Sequence, residues 1–281
     1  MRIALCNEVL APMPFARQCE FAAALGYDGL EVAPYTLGDD ALALSSAERQ
    51  ALRRQAADAG IAISGLHWLL VKPPGLSITS DDPAVRQRTL DRLHGMIDLC
   101  AELGGQVLVH GSPAQRRLPD GPGSQVAAAR QRAIDALAAL AALAGHAHSA
   151  GVTYCIEPLA PPTANFVTSL AEALAIVEAI GVPGLRTMLD CCAAGRAEAH
   201  APGELLDRWL PGGLIAHVQI NDPNGRGPGQ GDQAVKPVLA ALQRHGYAGW
   251  LAVEPFEYIP NGPACAARAI GYLRGILEGT A

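Results

Sequence analysis

The chain has 281 residues, half of them hydrophobic and 17% charged, which is enough to bury one large core. A net charge of −6 spread without blocks disfavours a nucleic-acid partner, because phosphate-backbone binders carry a basic face. Mean hydropathy is +0.17, yet no run approaches the ~20 unbroken apolar residues of a membrane span, and the amino terminus reads straight into a strand, so a cytoplasmic protein with no membrane partner is expected.

Apolar strand-like runs alternate with helical patterns from end to end. The expected strands are residues 2–6, 29–34, 61–66, 106–110, 152–157, 186–190, 214–220 and 250–254. Between them, apolar residues recur at spacings of three and four. Asp81-Asp82-Pro83 opens one helix with acidic residues and a proline, and Gly104-Gly105 closes it. A second helix, roughly 124–150, is rich enough in alanine for propensity alone to support it. Gly26, Gly60, Gly104, Gly151 and Gly246 stand where helices end before the next strand. Strict alternation of strand and helix implies a parallel sheet, and no GxGxxG follows the first strand. The expected fold is α/β, one (β/α)8 barrel spanning residues 1–281 as a single domain. Long loops are expected after the third, fourth and seventh strands. The seven cysteines are odd in number and lack paired CxxC spacing, so reduced, buried thiols are expected, the adjacent Cys191-Cys192 included.

Strands buried on both faces read as unbroken apolar runs, so a polar residue at a strand's carboxyl end needs a reason. Glu157 ends YCIE, Asp190 ends RTMLD, Gln219 sits in HVQIND and Glu254 ends LAVE. In a barrel these positions converge on the face that carries the chemistry. Two glutamates, one aspartate and one amide offer hard oxygen ligands to a divalent cation. His217 and Gln219 are two apart on one strand and so share a face, expected to be the barrel mouth. His67 and His110 end the third and fourth strands, and Trp68 offers an apolar wall to a sugar ring. Arg226, in the glycine-rich loop NDPNGRGPGQGD, is placed to hold a substrate oxygen, carboxylate or phosphate. Gln115 and Arg116 read as loop residues with surface and site equally open. His94, His146 and His148 lie on helices without an assigned role.

At these residues the chain resembles the xylose isomerase-like TIM-barrel superfamily of sugar isomerases and epimerases. The resemblance implies one divalent metal ion (Mn, Mg, Co or Zn) held by Glu157, Asp190, Gln219 and Glu254. It also implies proton transfer by Glu157 and Glu254 through an enediolate, with His67, Trp68, His110, His217 and Arg226 against the substrate. The substrate implied is a small sugar or hydroxy-ketone, and the assembly a homodimer or homotetramer. HVQINDPNGRGPGQGD is similar both to hydroxypyruvate isomerases and to ketose 3-epimerases, the latter with His at the Gln219 position. Two positions depart from the 3-epimerase pattern: Ala193 and Thr163 stand where those enzymes carry a histidine and a glutamate. Three other readings stay open on the same residues. One is an inosose-type dehydratase with a single metal. Another is a non-catalytic sugar binder. The last is an endonuclease IV-like phosphodiesterase, whose further histidines are replaced here by Ala193, Gln219 and Ala234.

Overall fold

The computed structural model describes residues 1–121, 123–149 and 151–279, with side chains outside 141–149; His146 and His148 fall outside the described side chains. Eight parallel strands close into a barrel in chain order, β1 pairing with both β2 and β8. They are β1 Arg2–Cys6, β2 Gly29–Val32, β3 Ala62–Leu66, β4 Val107–His110, β5 Thr153–Ile156, β6 Leu185–Asp190, β7 Ile215–Ile220 and β8 Trp250–Val253. Each lies within a residue or two of a run read from the sequence.

The helices are α1 Phe15–Leu25, α2 Ser46–Asp58, α3 Pro83–Leu103, α4 Ser124–Ser149, α5 Leu170–Ile180, α6 Cys191–Ala197, α7 Pro202–Trp209, α8 Val235–Arg244 and α9 Gly262–Glu278. Local chemistry starts and stops them. Asp82 accepts a hydrogen bond from the Ala84 N–H at 2.8 Å, with Pro83 in the first turn of α3. Gly104 then ends α3 in the left-handed region at φ +83°. Ser45 and Glu48 form a reciprocal capping box on α2.

Two apolar layers result. Val107, Val109, Cys155 and Met188 fill the barrel centre, and a larger cluster joins the outer strand faces to the helices. Side chains alternate along a strand, so inward Val107 and Val109 leave Leu108 and His110 facing the helix layer. The close spacing of β3 and β4 depends on Gly65, where a Cβ would stand 2.0 Å from the Val107 carbonyl oxygen. All seven cysteines are free and buried.

The carboxyl-terminal connections build the mouth of the barrel. Long segments follow β3, β4 and β7 as expected, and residues 157–169 form another after β5. No loop follows β6: Asp190 ends the strand and caps α6 at once, accepting the Ala193 N–H at 2.6 Å. No helix among the described residues is long and apolar enough to cross a membrane.

Candidate active site

A cleft of about 200 Å³ opens at the carboxyl-terminal face. Its floor is Glu157, Asp190 and Glu254, from the ends of β5, β6 and β8. One ligand oxygen from each lies within 4.8 Å of the others, and all three side chains are buried. Burial pushes Glu157 well above the ordinary carboxylate range, with the charges of Glu254 and Asp190 adding to it and Arg116 opposing. Burial likewise lifts Asp190 to about 6, against hydrogen bonds from Ala193 and Asn221. Glu254 is lifted to about 8, burial again dominating and His67 opposing. Three buried acids this close repel one another when ionised, and a dication between them reverses that conflict.

Gln219 is the register partner of Asp190 across the β6–β7 ladder. Its Nε2 donates to Glu31 Oε1 at 2.8 Å, while its Oε1 is buried without a partner. Glu254 Oε2 is likewise buried and unpartnered. An orphaned amide oxygen on the register partner of Asp190 and an orphaned carboxylate oxygen on Glu254 are the acceptors a hard cation requires. The donor set therefore fits a divalent metal.

Several side chains hold this floor in place. Asn221 Nδ2 donates to Asp190 Oδ2 at 2.7 Å and to the Glu254 carbonyl oxygen at 3.0 Å, while its own Oδ1 accepts the Cys192 N–H. Gly111 leaves room for Glu157, since a Cβ there would fall 2.1 Å from Glu157 Oε2. His67, on the wall after β3, lies 3.0 Å from Glu254 Oε1 through Nδ1 and 3.0 Å from Glu8 Oε2 through Nε2. Burial works against a charge on His67, yet Cys6, Glu8 and Glu254 around it raise its pKa well above the usual imidazole value. Cys6, Glu8, His67 and Glu254 form a second group able to hold a metal ion, sharing Glu254 with the first.

The remaining expectations divide. Trp68 lines the cleft, held there with a left-handed backbone at φ +53°. His110 does not. Its Nδ1 is 2.7 Å from the Tyr154 hydroxyl in the layer between strands and helices, because strand alternation turns position 110 outward. His217 does face inward, but it is fully buried two residues deeper than Gln219, with Nε2 2.7 Å from Glu31 Oε2. That contact is close but not aligned as a hydrogen bond. Arg226 stays in its loop, its Nε 3.6 Å from Glu257 Oε2, away from the cleft wall.

Three residues of this region carried no role in the sequence reading, and a fourth, Arg116, stood open between surface and site. Glu31 sits in the middle of the run GLEVAP, where a charge flanked by apolar residues was a visible signal. Glu8 follows β1 and was visible only as a loop acid. Asn221 is two residues beyond Gln219 and so shares its side of the chain. Arg116 is 2% exposed, its guanidinium without a hydrogen-bond partner, and burial lowers it to about 10 with Glu157 opposing.

With this geometry in hand, similarity to known proteins is informative. The sequence profile described as xylose isomerase-like TIM barrel matches residues 19–276. The chain belongs to that family. Among its relatives, a D-psicose 3-epimerase of Agrobacterium fabrum is 26% identical over 250 residues, covering 86% of this chain and 79% of the relative. A putative hydroxypyruvate isomerase of Streptomyces coelicolor is also 26% identical, over 276 residues, covering 90% and 93%. A solved L-ribulose 3-epimerase matches the fold with a TM-score of 0.82 at 23% identity, covering 99% of this chain and 95% of that one. These relatives are epimerases and isomerases, and the chain is an enzyme of that class.

Proposed function

We propose that the protein is a divalent-metal-dependent isomerase or epimerase of a small sugar or hydroxy-ketone, with Glu157, Asp190, Gln219 and Glu254 as the metal ligands. The observation that carries this reading is the floor of the cleft. Three buried carboxylates from three strands stand within 4.8 Å of one another, and Gln219, paired with Asp190 across the ladder, and Glu254 each keep an unpartnered buried oxygen. When bound, the cation supplies positive charge for two adjacent oxygens of a hydroxy-ketone, acidifying the intervening C–H and favouring the enediolate.

The rest is work for the chain's own side chains. One glutamate of the Glu157/Glu254 pair removes the proton from carbon. The other, protonated at the outset, donates its own proton, to the opposite face in epimerisation or to the neighbouring carbon in isomerisation. His67, bonded to Glu254 and Glu8, fixes the orientation of the Glu254 carboxylate. Asn221 does the same for Asp190. Trp68 and Phe256 on the cleft wall exclude water from the carbon that loses its proton.

Solvent-deuterium incorporation tests the reading, using a panel of ketoses, hydroxypyruvate and inososes with Mn²⁺ or Mg²⁺. Metal-dependent deuterium at the carbon beside the carbonyl, lost in Glu157→Gln, is the expected result. Exchange that ignores both the metal and the substitution would contradict it, as would no exchange on any compound with metal bound. Net loss of water from an inosose would move the assignment to a dehydratase on the same carboxylates.

A further inference from the structure

The wall of the cleft differs in character from its floor. Leu159, Ala160, Cys192, Ala193 and Phe256 make most of it apolar, and Arg196 is the one arginine or lysine in its lining. Arg196 sits on α6, six residues past Asp190, and is exposed at the rim while the carboxylates are buried below.

Its side chain is anchored but not neutralised. Nε donates to the Pro223 carbonyl oxygen at 2.7 Å, fixing the plane of the guanidinium. No carboxylate among the described residues forms an ion pair with it. Glu257, in the same loop cluster, is instead the ionic partner of Arg226 at 3.6 Å. The Arg196 Nη2 approaches Gly225, where the loop after β7 is pinned to the loop after β8 by the Phe256 and Glu257 N–H groups. A guanidinium oriented through Nε, with its two Nη groups unspent, presents the paired donors that carboxylates and phosphates accept.

We propose that Arg196 reads an anionic terminus, so that the substrate is a hydroxy-ketone carrying a carboxylate or phosphate at the end remote from the reacting carbons. The apolar wall supports this, because a neutral polyol would find few hydrogen-bonding partners between the floor and the rim. The chain's net charge of −6 gives no general attraction for an anion, so recognition rests on this local cation. The inference deepens the enediolate reading above and depends on it.

The test compares a neutral ketohexose, its 6-phosphate and a keto-hexonic acid of the same chain length. Deuterium exchange with Mn²⁺ is followed in wild type, Arg196→Ala and Arg196→Lys. The expected result is a lower KM for one of the two anions than for the neutral ketose, and the favoured arm identifies phosphate or carboxylate. Arg196→Ala should raise that KM about tenfold or more, with a smaller change in kcat and in the KM of the neutral ketose. Lysine, keeping the charge without the fork, should restore part of the loss. Exchange into the neutral ketose at a KM no higher than that of either anion would overturn the inference and leave the enediolate reading standing. An alanine variant that raises KM for anion and neutral ketose alike would also overturn it, because Arg196 would then serve only to hold Pro223. Absence of exchange into every hydroxy-ketone with metal bound would defeat the enediolate reading and this inference with it.

Discussion

Glu31 accepts a hydrogen bond from Gln219 Nε2 at 2.8 Å, and this bond decides which end of the amide is left for a cation. The freed Gln219 Oε1 is one of the proposed ligand atoms. Glu31 itself is fully buried. Burial acts to raise its pKa, but His217 above all, with His67 and Gln219, holds it below the usual carboxylate value. Glu31→Gln removes the charge that fixes both the amide and His217. Outer partners of metal ligands typically contribute about 10–100-fold in affinity. A weakening of that size in Mn²⁺ affinity is expected by titration calorimetry of the stripped protein, and unchanged affinity would show that Gln219 is oriented by something else.

Gly111 tests the position of Glu157 without altering its chemistry. A methyl group at 111 would stand 2.1 Å from Glu157 Oε2, the mobile end of a side chain rather than backbone. Gly111→Ala is therefore expected to fold, to displace the carboxylate and to lower the deuterium-exchange rate by roughly tenfold or more, since small misplacements at a reacting centre are costly. A variant that exchanges at the wild-type rate would place Glu157 outside the chemistry.

Removal of metal should make stability fall with rising pH. Asp190 is raised to about 6 and Glu254 to about 8 in the fold. Over that window the native state binds more protons than the unfolded chain, so stability is full below the ordinary carboxylate values and is lost as pH rises through 6 and then 8. A cation reverses this by favouring the ionised forms. Thermal melts with and without Mn²⁺ should show a larger metal-induced rise in Tm at pH 8 than at pH 5. Equal shifts at both would contradict the assignment of these carboxylates to the metal.

His110 predicts the opposite acid behaviour. Burial, and then the charge of Arg116, lower its pKa from 6.5 to about 3. Between those values the unfolded chain binds a proton that the native state does not, so stability is lost as pH falls through 6.5 toward 3. The slope reaches about 1.4 kcal/mol per pH unit. His110→Gln keeps an acceptor for the Tyr154 hydroxyl but does not titrate. Urea melts from pH 7 to pH 4 should show a shallower decline in that variant. Identical slopes in the two proteins would mean that His110 can take up its proton without leaving the fold.

The same residues mark how far the sequence could be read. Strand ends were legible because Glu157, Asp190 and Glu254 interrupt apolar runs at positions where only a barrel mouth tolerates a charge. His110 misled because it ends its strand as they do, and which face a strand-end residue takes depends on register; here Val109 occupies the inward position. His217 has the right face but the wrong depth, a distance along the barrel axis that hydrophobic pattern does not encode. Arg226 was placed by its glycine-rich loop, yet the cation lining the cleft is Arg196, carried there by a helix that begins directly at Asp190. Glu31 was visible inside β2, but its meaning lies in Gln219, 188 residues away. Arg116 stayed open between surface and site, since nothing local distinguishes a buried arginine from an exposed one in a loop.

Anomalous scattering from Mn²⁺-loaded crystals tests the central claim most directly. The account predicts one strong peak about 2.0–2.6 Å from oxygens of Glu157, Asp190, Gln219 and Glu254, absent in Glu157→Gln. A peak confined to Cys6, Glu8, His67 and Glu254, or no peak at saturating Mn²⁺, would contradict it.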